Sequence, residues 1–198
     1  MIRFLFLCLF LTLPLKAEEF PALYAVTGVS ADDVLNIRAR PDAGAPIIGS
    51  LAPNATGVEV IATSGTWAVV NSAEGSGYAA LRFLRREPGP DWNALQTPLA
   101  CFGTEPFWSL EIDPQRGETR FMTPDDQAPA AEKISGRWPA QPWAQSAAIG
   151  LSDGIAVLAG AECSDGMSDR SYGIAVDIFR TGPAGGGRLS GCCLLAQP

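Results

Sequence analysis

The chain has no histidine at any of its 198 positions. Histidine is the one side chain whose ordinary pKa lies near neutrality. Its absence excludes Ser-His-Asp and Cys-His nucleophile systems, and most zinc and copper sites with them. Catalysis by carboxylates alone is left open. There is also no Cys-x-x-Cys redox pair, and no stretch from Leu23 to Arg86 sustains a helical period. Long apolar runs are missing as well, apart from Phe4 to Leu13 at the start. That run is too short to cross a bilayer of roughly 30 Å as a helix. With Arg3 before it and Lys16, Glu18 and Glu19 after it, it predicts a secretory signal at residues 1–17, cut after Ala17. Cys8 lies inside the apolar run with no small residues before it, which excludes lipid attachment there. The expected location is periplasmic or secreted.

What is present fits an oxidising compartment. Beyond Cys8 there are four cysteines, Cys101, Cys163, Cys192 and Cys193, an even set that predicts disulfides. Cys192 and Cys193 are neighbours on a predicted strand, so their side chains face opposite ways and each needs its own partner. Either Cys163 or Cys101 could serve Cys192. Acids outnumber bases, 21 to 14, for a formal charge of −7; loss of Arg3 and Lys16 with the signal makes this −9. Such a surface repels nucleic acid and anionic lipid. The 21 glycines and 16 prolines suit many short strands joined by tight turns.

Five such strands are predicted in the first half, near residues 34–40, 47–51, 58–62, 66–70 and 77–84, which points to a small barrel. Leu35-Asn36-Ile37-Arg38, Pro41, Ile48-Gly49, Leu51, Val58-Glu59-Val60, Trp67 and Leu84 give Tyr24–Leu84 a pattern that resembles the bacterial SH3 domain. Gly77-Tyr78-Ala79 stands where that family usually has Gly-Trp-Val. The resemblance implies a non-catalytic module that binds cell-wall peptide or an envelope protein. Trp67 and Tyr78 would then form an aromatic groove, with polar contacts from Asn36 and Arg38 and with Asp32 or Asp33 meeting an amine. Against this, Trp67 could simply pack the barrel while Asn36 and Arg38 hold turns.

The expected organisation is an SH3-like domain at 18–86, a linker at 87–98 stiffened by Pro88 and Pro90, and a second β domain at 99–198. Trp92 and Leu95 of the linker are expected to pack on one of the domains. In the second domain Trp108, Leu110 and Ile112 share a face, Asp113 to Gly117 turns, and Glu118 to Met122 returns. Residues 124–146 read as loop or weak strand. Residues 154–160 and 172–178 read as strands, the latter with Tyr172, Ile174, Val176 and Ile178 inward; 181–187 is a glycine-rich loop and 188–193 a closing strand. An antiparallel barrel or sandwich follows, so the whole chain is expected to be all-β. Gly103-Thr104-Glu105-Pro106-Phe107-Trp108, Cys163-Ser164-Asp165-Gly166-Met167-Ser168-Asp169 and Gly191-Cys192 resemble an uncharacterised bacterial envelope domain with no agreed activity. That resemblance favours Cys163–Cys192 with Cys101–Cys193, since the loop cysteine and the terminal Gly-Cys recur together in it.

Three further clusters carry expectations. Glu162, Asp165 and Asp169 have oxygen ligands for calcium, but the loop lacks regular ligand spacing. An Asx turn with Asp165 capping amides and Arg170 pairing with a carboxylate is favoured, and no metal or cofactor is expected. Glu105 is expected to accept backbone hydrogen bonds rather than to form a catalytic carboxylate pair. Phe107, Trp108, Phe121, Trp138 and Trp143 are expected to build core or rim, with an aromatic ligand pocket as the rival. The leading function is thus a non-catalytic envelope binding or adaptor module. The alternatives are a small-molecule or lipid-binding protein and an inhibitor of a wall-degrading enzyme.

Overall fold

A computed structural model describes residues 19–73, 75–181 and 187–196. The signal segment at 1–17 and most of the glycine-rich loop lie outside the described residues. The described chain is all-β. No helix among the described residues is long and apolar enough to cross a membrane.

The first part contains β1 (Ala22–Val26), β2 (Leu35–Arg38), β3 (Ile47–Leu51), β4 (Val58–Val60), β5 (Ala62–Ser64), β6 (Trp67–Ser72), β7 (Gly75–Ala80) and β8 (Leu84–Arg86). They form a three-stranded sheet, β4-β1-β8, and a five-stranded sheet, β3-β2-β7-β6-β5. Alternation dictates the core: Leu35 and Ile37 of β2, Ala68 and Val70 of β6, Ala79 of β7 and Val60 of β4 are all buried. β1, which the strand pattern left unread, is sandwiched between β4 and β8. Its Ala22, Tyr24 and Val26 enter this core, while Leu23 between them packs on the core of the second domain. One strand therefore serves both halves.

The second part contains β9 (Leu99–Thr104), β10 (Phe107–Asp113), β11 (Glu118–Met122), β12 (Glu132–Lys133), β13 (Gly136–Trp138), β14 (Ser146–Leu151), β15 (Gly154–Cys163), β16 (Tyr172–Arg180) and β17 (Gly187–Leu195). They make one antiparallel sheet in the order β12-β11-β10-β9-β17-β16-β15-β14-β13. The sheet curls until its two edges meet in one segment. Residues 132–133 pair with β11 and 136–138 pair with β14. Between them Ile134 donates to the Gly117 carbonyl at 2.9 Å and Ser135 to the Gly150 carbonyl at 3.0 Å. The region read as loop or weak strand thus carries both edges of the sheet.

Inside lie Leu99, Cys101, Leu110, Ile112, Ile149, Leu158, Ile174, Val176, Ile178 and Cys193, with Trp108 stacked on Phe121 at 5.9 Å between ring centroids. Gly103 and Gly191 make room for that indole, since a Cβ at either position would overlap Trp108. Trp92 and Leu95, expected in a linker, are only 1% exposed and belong to this same core. Pro88 and Pro90 bring the chain to it, and Trp92 Nε1 donates to the Phe20 carbonyl at 3.0 Å.

The cystines are Cys101–Cys193 and Cys163–Cys192. Cys101 and Cys193 sit directly opposite each other on β9 and β17, facing the core. Cys192 points out of the other face of β17 and ties it to the end of β15, where the pairing with β16 shifts between Gly160 and Cys163. In a chain-entropy view each contributes about 2–4 kcal/mol.

Candidate functional site

The outer face of the five-stranded sheet gathers the four residues singled out for ligand contact. Trp67 pairs with Ala80, Val69 with Tyr78, and Arg38 with Tyr78. Residues paired across strands share a face, so Asn36, Arg38, Trp67 and Tyr78 all project from the side opposite the core. They do not share one depression. Asn36, Arg38 and Trp67 line a groove of about 310 Å³ together with Asp33, Arg82 and Phe83. Tyr78 lines a neighbouring cleft at the seam with the second domain.

The groove is chemically mixed. Arg38 is held by a 2.7 Å hydrogen bond from Nη1 to the Ala45 carbonyl. The Arg82 guanidinium lies over the Phe83 ring at 4.5 Å. The Asp33 carboxylate accepts from the Val34 amide at 2.7 Å. Two guanidinium groups, one carboxylate and an indole face thus surround one depression.

A second groove, of about 500 Å³, opens at one end of the curled sheet. Phe107 and Met167 stand on its rim, 56% and 68% exposed, with Trp108, Met122, Arg170 and Tyr172 deeper. One wall is the Asp165 loop. Asp165 Oδ1 accepts from the amides of Met167 and Ser168, both at 2.9 Å, and Oδ2 accepts from the Ser168 hydroxyl at 2.8 Å. The Ser168 and Met167 amides hold its carboxyl below the ordinary range. Thr104 Oγ1 donates to the Asp165 carbonyl at 3.0 Å, fixing the loop to the end of β9. Tyr172 is buried, as alternation predicts, yet it packs edge-on against Phe102 at 5.0 Å rather than in the central core. Burial and then the Asp165 charge push its phenol up.

Other expected residues are dispersed. Glu105 is exposed in the β9–β10 turn, beside a cis peptide bond to Pro106. Trp138 and Trp143 are 53% and 83% exposed and lie outside both grooves. Among the described residues no three acids or cysteines gather closely enough to hold a metal ion. Arg170, expected to meet a carboxylate, instead crosses to the first domain and donates from Nε to the Ala73 carbonyl at 2.5 Å.

That crossing belongs to a seam the sequence did not disclose. Asn71 Nδ2 donates to the Ser171 carbonyl at 3.0 Å, Ser171 N to Ser76 Oγ at 2.8 Å, and Ser76 N to the Asp169 carbonyl at 3.1 Å. On another side Leu195 N donates to Glu59 Oε1 at 3.1 Å. Burial, opposed in part by this bond, pushes the Glu59 carboxyl up to about 7. Within Val58-Glu59-Val60, Glu59 reads as the solvent-facing residue of a strand. Only the second domain, lying over it, makes it a seam residue.

The comparisons bear on the first domain alone. Residues 33–85 match the bacterial SH3 domain family. The SH3 domain is a non-catalytic scaffold, and here β1, from outside the matched stretch, completes its smaller sheet. A structurally distinct, disulfide-bonded β domain follows it. No curated protein and no solved structure matches the chain.

Proposed function

We propose that this is an exported, non-catalytic envelope protein that recognises cell-wall peptide through the groove on its SH3 domain. The observation that carries the proposal is the set of side chains round that groove. Trp67 offers a flat apolar face, Arg38 and Arg82 suit carboxylates, and Asp33 suits an amine. Short peptides that bear free carboxylates and an amine present the complementary groups. The signal-like start of the chain and its oxidised cysteines support an extracytoplasmic location. The two-domain organisation gives the groove a firm base, because the SH3 domain is bonded to its neighbour on two sides. Amide chemical-shift mapping with a soluble wall-derived peptide tests the proposal. Shifts at Asn36, Arg38 and Trp67 that saturate are expected, and their absence would count against it.

A second reading places ligand binding in the second domain. Its support is the 500 Å³ groove with Phe107 and Met167 exposed on the rim. A large apolar side chain held in solvent beside a cavity suits an apolar small molecule. In the same mapping experiment, this reading moves the shifts to Thr104, Ser109 and Ser168.

A further inference from the structure

The cleft at the domain seam that takes Tyr78 is formed by both domains. It has a volume of about 420 Å³. The first domain contributes Phe20, Ile61, Val69 and Tyr78, and the second contributes Glu162 and Ser171. Its walls are held by the Asn71–Ser171 and Ser171–Ser76 hydrogen bonds. At Gly173 the two domains come so close that a Cβ would press on Pro21 at 2.9 Å and on the Ile61 carbonyl at 3.2 Å.

The lining has an uneven charge. Glu162 is the one charged side chain among the cleft residues, and no arginine or lysine lines it. Among the described residues Glu162 has no ion-pair partner. A carboxylate without a cation, beside two aromatic rings and two aliphatic side chains, is complementary to a protonated amine on an apolar body. The same carboxylate, in a chain of net charge −7, disfavours an anionic ligand. Glu162 stands exposed on the rim of the cleft, where β15 departs from regular pairing with β16 between Gly160 and Cys163.

We infer that the seam cleft is a binding site for a small molecule carrying a protonated amine on an apolar body, with Glu162 meeting the amine and Phe20 and Tyr78 holding the apolar part. This site is separate from the Trp67 groove and goes beyond the peptide recognition proposed for it. Neither domain alone supplies the full set of groups.

The test uses the full chain from residue 18 and three probes that share a phenylethyl body: phenethylamine, the neutral 2-phenylethanol and the anionic 3-phenylpropionate. Binding is followed by amide chemical shifts. Phenethylamine is expected to give saturable shifts at Tyr78, Gly160 and Ser171, with a Kd on the order of millimolar for so few atoms. Glu162→Gln is expected to weaken phenethylamine about fivefold or more while leaving 2-phenylethanol unchanged. Tyr78→Ala is expected to weaken both probes while the remaining amide spectrum stays native-like. Trp67→Ala is expected to leave phenethylamine binding intact, which separates this site from the peptide groove. The inference is overturned if phenethylamine gives no saturable shift in the cleft, if Glu162→Gln binds it as tightly as the unmodified chain, or if 3-phenylpropionate binds there equally well.

Discussion

The backbone amide of Leu195, on the last strand, donates to the carboxylate of Glu59, on the fourth, at 3.1 Å across the seam between the two domains. A buried acid with a raised pKa holds its proton more tightly in the folded chain than in the unfolded one. Its charging therefore costs stability. The cost is absent below about 4.5, grows as pH rises towards about 7, and is complete above that. The expected ceiling is about 3 kcal/mol. Thermal or urea unfolding is expected to show higher stability at pH 5 than at pH 8. Glu59→Gln is expected to flatten that dependence and to raise stability at pH 8. Asp165 and Asp177, whose pKa values are lowered by hydrogen bonds, act in the opposite sense, but only as pH falls through the ordinary Asp value of 3.8 and below. A flat profile between pH 5 and 8 in the unmodified chain would contradict this account.

Two tryptophans outside the grooves separate packing from exposure. Trp92 is 1% exposed in the core and bonded to the Phe20 carbonyl, whereas Trp143 is 83% exposed. Trp92→Ala is expected to cost about 3–5 kcal/mol in urea unfolding. Trp143→Ala is expected to change stability by less than about 0.5 kcal/mol. Equal effects would remove the 87–98 segment from the core of the second domain.

The two cystines close loops of different length, with sequence separations of 92 for Cys101–Cys193 and 29 for Cys163–Cys192. Loop-closure entropy makes the longer one worth about 1 kcal/mol more. Cys101→Ala with Cys193→Ala is thus expected to destabilise more than Cys163→Ala with Cys192→Ala, as read from urea midpoints. Hydrogen exchange should then locate the loss from the second pair at residues 164–171, the loop that this bond anchors to β17.

Gly103 and Gly191 leave no space for a side chain beside the Trp108 indole. Gly103→Ala is expected to cost about 1–3 kcal/mol, the range for overpacking a filled core. Loss of the Trp108–Phe121 stack in near-UV circular dichroism would report it. An unchanged near-UV spectrum and melting temperature would show that the indole has room to move.

Much of the fold is legible in the alternation of the chain. Leu35 and Ile37, Trp108, Leu110 and Ile112, and Ile174, Val176 and Ile178 all face the cores that their period of two assigns to them. β1 escaped because its strand is buried on both faces, so Ala22-Leu23-Tyr24-Ala25-Val26 shows no alternation. The closing segment 132–138 escaped for a different reason. It pairs over only two or three residues on each side, too few for a period to register. The packing of Trp92 and Leu95 on a domain is legible in the sequence, but which domain is not, because their burial depends on β14 and β15, more than 50 residues away. Asn36, Arg38 and Trp67, named from the SH3 resemblance, line one depression because alternation puts them on the same face of the sheet in which β7 separates β2 from β6. The displacement of Tyr78 into the seam, and the raised pKa of Glu59, depend on how the second domain docks. No local pattern in the chain encodes that docking.

The most direct test of peptide recognition is co-sedimentation of the chain from residue 18 with purified, protein-free peptidoglycan sacculi, at low and moderate salt. Trp67→Ala and Phe107→Ala, each shown to be folded, are run beside it. The unmodified chain and Phe107→Ala are expected to pellet with sacculi, and Trp67→Ala is expected to stay in solution. If the unmodified chain stays in solution at both salt concentrations, or if Trp67→Ala pellets as fully as it does, recognition through the SH3 groove is contradicted.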